Sequence, residues 1–72
     1  MLNFALVGCG NMGNWHAQQL QKISEVNVVA LCDPVAAQTA QYKEKYFAQA
    51  EEYQDYEQLL ERPPVKLDAV VL

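Results

Sequence analysis

All three glycines of the chain fall in one six-residue run, Gly8-Cys9-Gly10-Asn11-Met12-Gly13. What flanks that run constrains the fold more than any other feature. Before it, Leu2 to Val7 is a short apolar stretch with one polar residue, which reads as a buried strand ended by Gly8. After it, Asn11 to Ile23 sets Met12, Trp15, Leu20 and Ile23 along one helical face. Strand, glycine turn and helix, in that order, form the context in which a GxGxxG run carries chemistry. Gly8 allows the tight turn out of the strand. Gly10 has no Cβ, so the backbone can approach a pyrophosphate. Gly13 lets the helix pack closely on the sheet. The free amides around Asn11 and Met12 then face a diphosphate with the positive end of the helix dipole. The plain alternative is a glycine-rich turn that only joins a strand to a helix.

The rest of the chain keeps alternating strand-like and helix-like stretches. Val26 to Cys32 is nearly continuous in apolar character, which suits a central parallel strand covered on both faces. Asp33-Pro34 predicts a helix start, with Asp33 as the cap and Pro34 at the first helical position. That helix is expected to run to about Phe47, with Val35, Thr39, Tyr42 and Tyr46 on one stripe and Ala36, Ala40 and Phe47 on its neighbour. Ala48 to Tyr53 reads as a loop with a short third strand. Asp55-Tyr56-Glu57-Gln58 has capping-box spacing, so a third helix is expected over Asp55 to Glu61, stopped by Arg62-Pro63-Pro64. Leu67 to Leu72 reads as a fourth strand. The order implies an α/β fold with a parallel sheet and right-handed crossovers. Met12 and Trp15 are expected in its core. The four tyrosines are expected to pack helices on the sheet with their polar tips at the surface.

Asp33 stands twenty residues past Gly13, at the end of the second strand. A carboxylate there accepts hydrogen bonds from the hydroxyls of an adenosine ribose. A plain helix cap is the alternative role, and the two are compatible. The same carboxylate repels a 2′-phosphate. Pro34, Val35, Ala36 and Ala37 supply no cation to offset it, and Lys43 lies far along the helix, so NAD is favoured over NADP. His16 is read as a packing or hydrogen-bonding residue rather than a proton shuttle, because a general base must reach the substrate. Glu51, Glu52, Asp55, Glu57 and Glu61 read as a solvated acidic face rather than a metal site. No residue is assigned a catalytic role, and no metal is expected.

Net charge is −4. Nucleic acid and anionic membrane surfaces are therefore not expected partners. No apolar run approaches the roughly 20 residues of a bilayer span, and the first seven residues do not resemble a signal peptide. Cys9 and Cys32 read as small buried thiols, reduced in a cytoplasm.

At these residues the chain resembles the N-terminal nucleotide-binding domain of the Gfo/Idh/MocA family, the glucose–fructose oxidoreductase and inositol dehydrogenase group. The resemblance rests on the glycine run followed by His16-Ala17, on Val28-Val29-Ala30-Leu31-Cys32-Asp33-Pro34, on Tyr53-Gln54-Asp55-Tyr56-Glu57-Gln58-Leu59-Leu60, and on Leu67-Asp68-Ala69-Val70-Val71. It covers essentially the whole chain. It implies a Rossmann-type three-layer fold that binds NAD or NADP through Gly8, Gly10, Asn11, Met12, Gly13 and Asp33. It also implies hydride transfer to or from sugars, cyclitols or related CH–OH substrates, with a second domain supplying much of the substrate site and the homo-oligomer interface. The family's catalytic lysine sits in a Glu-Lys-Pro motif, and none of Lys22, Lys43, Lys45 or Lys66 lies in one. Residues 1–72 are accordingly expected to be the first half of a dinucleotide-binding domain, cut inside a strand and inactive alone. A non-catalytic NAD-binding module is the competing reading. An S-adenosylmethionine-dependent transferase fragment is a further one, disfavoured by the third glycine and by His16-Ala17.

Overall fold

A computed structural model describes residues 2–9 and 11–71, with the backbone only for residues 11–14 and 16. Its elements are β1 (Leu2–Val7), α1 (Asn11–Gln21), β2 (Val26–Cys32), α2 (Ala36–Lys45), β3 (Glu51–Tyr53), α3 (Tyr56–Glu61) and β4 (Ala69–Val71). The strands form one parallel sheet in the order β3-β2-β1-β4. The chain builds outward from β1 through β2 to β3, then returns to add β4 on the other side of β1. The strand order thus reverses at β1, and the carboxyl ends of β1 and β4 flank the place where ligands bind in open α/β sheets.

Helices cover both faces, which gives three layers. On one face Leu6, Val28 and Leu31 pack with Ala17 of α1 and Tyr42 of α2. On the other, Ala5, Ala30 and Cys32 pack with Leu59 of α3. Both faces of β2 are therefore used, as its unbroken apolar run requires. One detail departs from simple alternation. Phe4 pairs with Val28 but Ala5 pairs with Ala30, so Val29 is an extra residue in a bulge. The bulge puts Val29 and Ala30 in succession against the same cluster and shifts the inward parity, so that Leu31 joins the face of Val28.

Several expected features are corrected here. Trp15 is not in the core: it is 60% exposed, while Ala17 is fully buried. Two residues turn a helix by about 200°, so the face that meets the sheet at Ala17 carries Trp15 away from it. Among the described residues of α1, the small Ala17 marks the buried face. Ile23 lies beyond the helix and is exposed. The second helix begins at Ala36, not at Asp33-Pro34, and its N-cap residue Val35 makes no side-chain cap bond. Val35, Ala36 and Ala40 are exposed, and the inward stripe is Thr39, Tyr42 and Tyr46. Tyr42 is buried entire rather than with a surface tip, and Tyr56 is turned largely to solvent.

The third helix has the expected cap. Asp55 accepts from the Glu57 amide at 2.9 Å, and Leu59 is fully buried. β4 is shorter than expected and starts at Ala69; the Leu72 end of that expectation lies outside the described residues. Where β4 enters, the Asn3 amide donates to Asp68 Oδ2 at 2.7 Å, and the Asp68 amide donates back to the Asn3 carbonyl at 2.7 Å.

Candidate functional site

The chain leaves β1 through Gly8, whose φ of +89° lies in a region that L side chains rarely adopt. A Cβ built there meets nothing within 4 Å. Backbone direction, not crowding, is what requires glycine at this position. The Gly8 amide donates to the Cys32 carbonyl at 2.8 Å, which carries the β1–β2 ladder one residue past the strand.

The next amide leaves the ladder. Cys9 N–H donates to Asp33 Oδ2 at 2.9 Å, across the gap between the turn after β1 and the turn after β2. The other carboxylate oxygen, Oδ1, accepts from the Val35 amide at 2.8 Å. The Asp33 amide donates to the Tyr53 carbonyl at 3.0 Å, so its backbone continues the bonding of β2 with β3. This arrangement explains the delayed start of α2. The carboxylate turns back toward the glycine loop and closes a local turn over Pro34 and Val35, and the helix forms only after that turn. One carboxylate therefore ties together the turns that follow the two central strands.

Around this point the chemistry favours a negatively charged guest near the helix start and a hydroxyl-bearing one near Asp33. The first turn of α1 has no acidic residue. First-turn amides have no partner within a helix, and with the dipole they suit a phosphate. Cys9 is buried beneath the turn, and its Sγ lies 3.8 Å from the Cys32 carbonyl oxygen, which accepts from the thiol. Burial pushes the Cys9 thiol up to about 12, and the Asp33 charge adds to the effect. Burial also raises the Cys32 thiol, again with Asp33 contributing. Both cysteines are free. Neutral thiols of this kind are packing groups, not nucleophiles.

The residues expected to bind the cofactor fall as follows. Gly8 and Asp33 are brought to one edge of the sheet, joined through Cys9. Asn11, Met12 and Gly13 form the first turn of α1. Gly10 lies outside the described residues, as do the side chains of Asn11, Met12 and His16, so the roles read for them lie outside what is described. The Cys9 amide is the participant that the sequence pattern did not single out. It stands at a variable position between two glycines, and a main-chain donor has no residue-type signature.

A second group fastens the neighbouring loop. The buried Thr39 hydroxyl accepts from Gln54 Nε2 at 3.0 Å and lies 2.9 Å from Glu52 Oε1. This stitches α2 to the end of β3, beside the carbonyl that holds Asp33. Glu51, Glu52, Asp55, Glu57 and Glu61 are all exposed, as a solvated acidic face should be. Among the described residues no group of acids, histidines and cysteines could hold a metal ion, and no helix is long and apolar enough to cross a membrane. A cavity of ≈ 430 Å³ opens beside β3, lined by Tyr53, Gln58, Glu61 and Arg62, away from the glycine turn.

Comparison with known proteins agrees with this geometry. The sequence pattern of an oxidoreductase family described by its NAD-binding Rossmann fold matches residues 2–72. An inositol 2-dehydrogenase from Salmonella paratyphi B is 36% identical over 67 residues, covering 92% of this chain and 20% of that protein. The chain thus spans about a fifth of the length of the curated relatives it matches. Among solved structures, myo-inositol dehydrogenase from Lactobacillus casei, in complex with NAD(H) and myo-inositol, superposes with a TM-score of 0.86 at 27% identity, over 100% of this chain and 21% of that one. The WlbA dehydrogenase from Chromobacterium violaceum, in complex with NADH and UDP-GlcNAcA, gives a TM-score of 0.83 at 27% identity, over 96% of this chain and 19% of that one.

Proposed function

We propose, from a chain that belongs to the Gfo/Idh/MocA oxidoreductase family with its NAD-binding Rossmann fold, that these residues hold the adenosine and pyrophosphate of NAD for a dehydrogenase of cyclitols or sugars. The observation that carries this reading is the juxtaposition of the Gly8 turn, the start of α1 and the Asp33 carboxylate at one edge of the sheet. Gly8, Gly10, Asn11, Met12 and Gly13 line the pyrophosphate, and Asp33 accepts from the adenosine ribose. Each carboxylate oxygen has more than one acceptor direction, so the two amide bonds of Asp33 leave capacity for a ribose hydroxyl.

NAD is preferred over NADP. Asp33 places a negative charge where a 2′-phosphate would sit, and the exposed residues that follow it, Pro34, Val35, Ala36 and Ala37, bring no cation. The bound dinucleotide supplies a hydride acceptor or donor for a CH–OH carbon. Inositol is what the Salmonella and Lactobacillus relatives name, and a nucleotide sugar is bound in the Chromobacterium one. A cyclitol or sugar is accordingly the substrate class. No residue here is assigned to the chemical step, so these 72 residues alone are catalytically silent. The working protein is a cytoplasmic homo-oligomer in this reading.

Calorimetric titration of NAD and of NADP into the chain tests the proposal. Saturable NAD binding with NADP at least tenfold weaker is the expected result. Equal affinities would remove the charge argument for Asp33, and no binding of either would overturn the reading.

A further inference from the structure

We infer that Asp33 is a positioning residue for the glycine turn as well as a ribose acceptor: its carboxylate clasps the Cys9 amide and sets the turn before any dinucleotide arrives. The geometry carries the inference. Oδ2 takes the Cys9 amide at 2.9 Å and Oδ1 takes the Val35 amide at 2.8 Å. Both bonds join a charged acceptor to a main-chain donor, the stronger kind of hydrogen bond. They run to two different turns, one after each central strand. The Asp33 backbone is itself fixed by its amide bond to the Tyr53 carbonyl. The clasp therefore has a rigid base and two arms, and one arm reaches a residue 24 positions away.

Among the described residues, the Cys32 carbonyl is the other group that holds the turn, taking the Gly8 amide and the Cys9 thiol. Gly8 is held by the Cys32 carbonyl, but a glycine reaches many other φ values as readily as +89°, so its backbone alone does not fix the turn. Cys9 follows with its amide directed away from the ladder. Without an acceptor there, a donor beside a buried residue would be left unpaired at a cost comparable to a lost hydrogen bond. The carboxylate supplies that acceptor. An asparagine at 33 would not replace it, because the two backbone amides meet different oxygens, and in asparagine one of those positions is an NH2 donor facing an N–H. The demand for aspartate thus arises in the protein itself, independent of the ribose.

The nucleotide arm of the test rests on the function proposed above; the exchange arm does not. In the nucleotide-free chain, amide hydrogen exchange is followed at Gly8, Cys9 and Val35. In Asp33→Ala the Cys9 and Val35 amides are expected to exchange at least tenfold faster, while Gly8, bonded to the Cys32 carbonyl, stays at its original rate and reports that the sheet is intact. A Cys9 amide that exchanges at an unprotected rate in the unaltered chain, or one unaffected by the substitution, overturns the clasp. Acceleration of Gly8 to the same degree also overturns it, because the effect would then be general loosening.

The second arm uses an NAD analogue lacking both hydroxyls of the adenosine ribose. If Asp33 served the ribose alone, Asp33→Ala would leave the affinity of this analogue unchanged, and that result overturns the inference. The clasp predicts that the analogue still binds about tenfold more weakly to the variant, the effect of losing one charge-assisted bond. If the unaltered chain binds neither NAD nor the analogue, the proposed function fails, and the exchange arm still decides the clasp.

Discussion

The two ends of β1 are held by the same device and put to different use. At the amino end, Asp68 accepts from the Asn3 amide and returns its own amide to the Asn3 carbonyl. At the carboxyl end, Asp33 accepts from the Cys9 amide and from the Val35 amide. Each carboxylate takes a backbone donor from a segment distant in sequence. Asp68 lies just ahead of β4, on the side of the sheet where no helix begins after a glycine turn, and its bonds align strands and nothing more. Asp33 faces the glycine turn, so the bonds that hold the fold there also shape the surface proposed to meet the dinucleotide. Location at the carboxyl edge of a parallel sheet, not residue type, makes a carboxylate a candidate binding group.

Substituting each carboxylate in turn separates the two ends. Asp33→Ala is expected to weaken NAD binding by about 100-fold, as two charge-assisted bonds would, with calorimetry as the measurement. Asp68→Ala should leave NAD affinity within about twofold. A comparable loss from both would mean that the two ends act alike, through stability alone.

The next largest effect concerns the turn itself. Gly8→Ala is expected to cost about 1–2 kcal/mol in denaturant unfolding, because an L residue must adopt φ of +89° while its Cβ meets no atom. A loss well beyond that range would point to a steric role that the open space at Gly8 does not support. In the same unfolding measurement Asp68→Ala should cost about 1 kcal/mol, the net worth of one backbone-to-carboxylate bond in a solvated setting. A modest change is expected at Trp15. It is 60% exposed on the outer side of α1, and Trp15→Ala should cost less than about 1.5 kcal/mol, below the roughly 3–5 kcal/mol of a core tryptophan. A loss of about 3 kcal/mol or more would restore it to the core.

Much of the site was legible because its markers are chemical types at fixed spacings. Glycines after an apolar run, and an acid at the close of the next one, announce a turn and an acceptor whatever their surroundings. The third helix was legible for a similar reason, since Asp55 and the apolar Leu59 signal a cap and a buried face within one turn. The readings that failed depended on which way a residue faces. Helical spacing puts Trp15 on one stripe with Leu20 and Ile23, yet the side of α1 that meets the sheet is the one that carries Ala17. Asp33 and Pro34 have every local property of a helix start, yet the carboxylate was drawn to an amide 24 residues away, and the helix waits until Ala36.

The α/β class, the run of the two central strands to the residue, and the presence of a glycine turn after one strand and an acid after the next follow from the sequence. Local sterics and hydrophobic patterning act within a few residues, so they can be read in one dimension. The bulge at Val29, the buried side of α1 and the attachment of Asp33 to Cys9 arise with the folded chain. Each of these depends on how neighbouring strands slide into register, and the pairing of β1 with β2 is a contact between segments more than twenty residues apart. A backbone amide has the same chemistry in every residue but proline, so its choice of partner becomes visible only when the chain has folded.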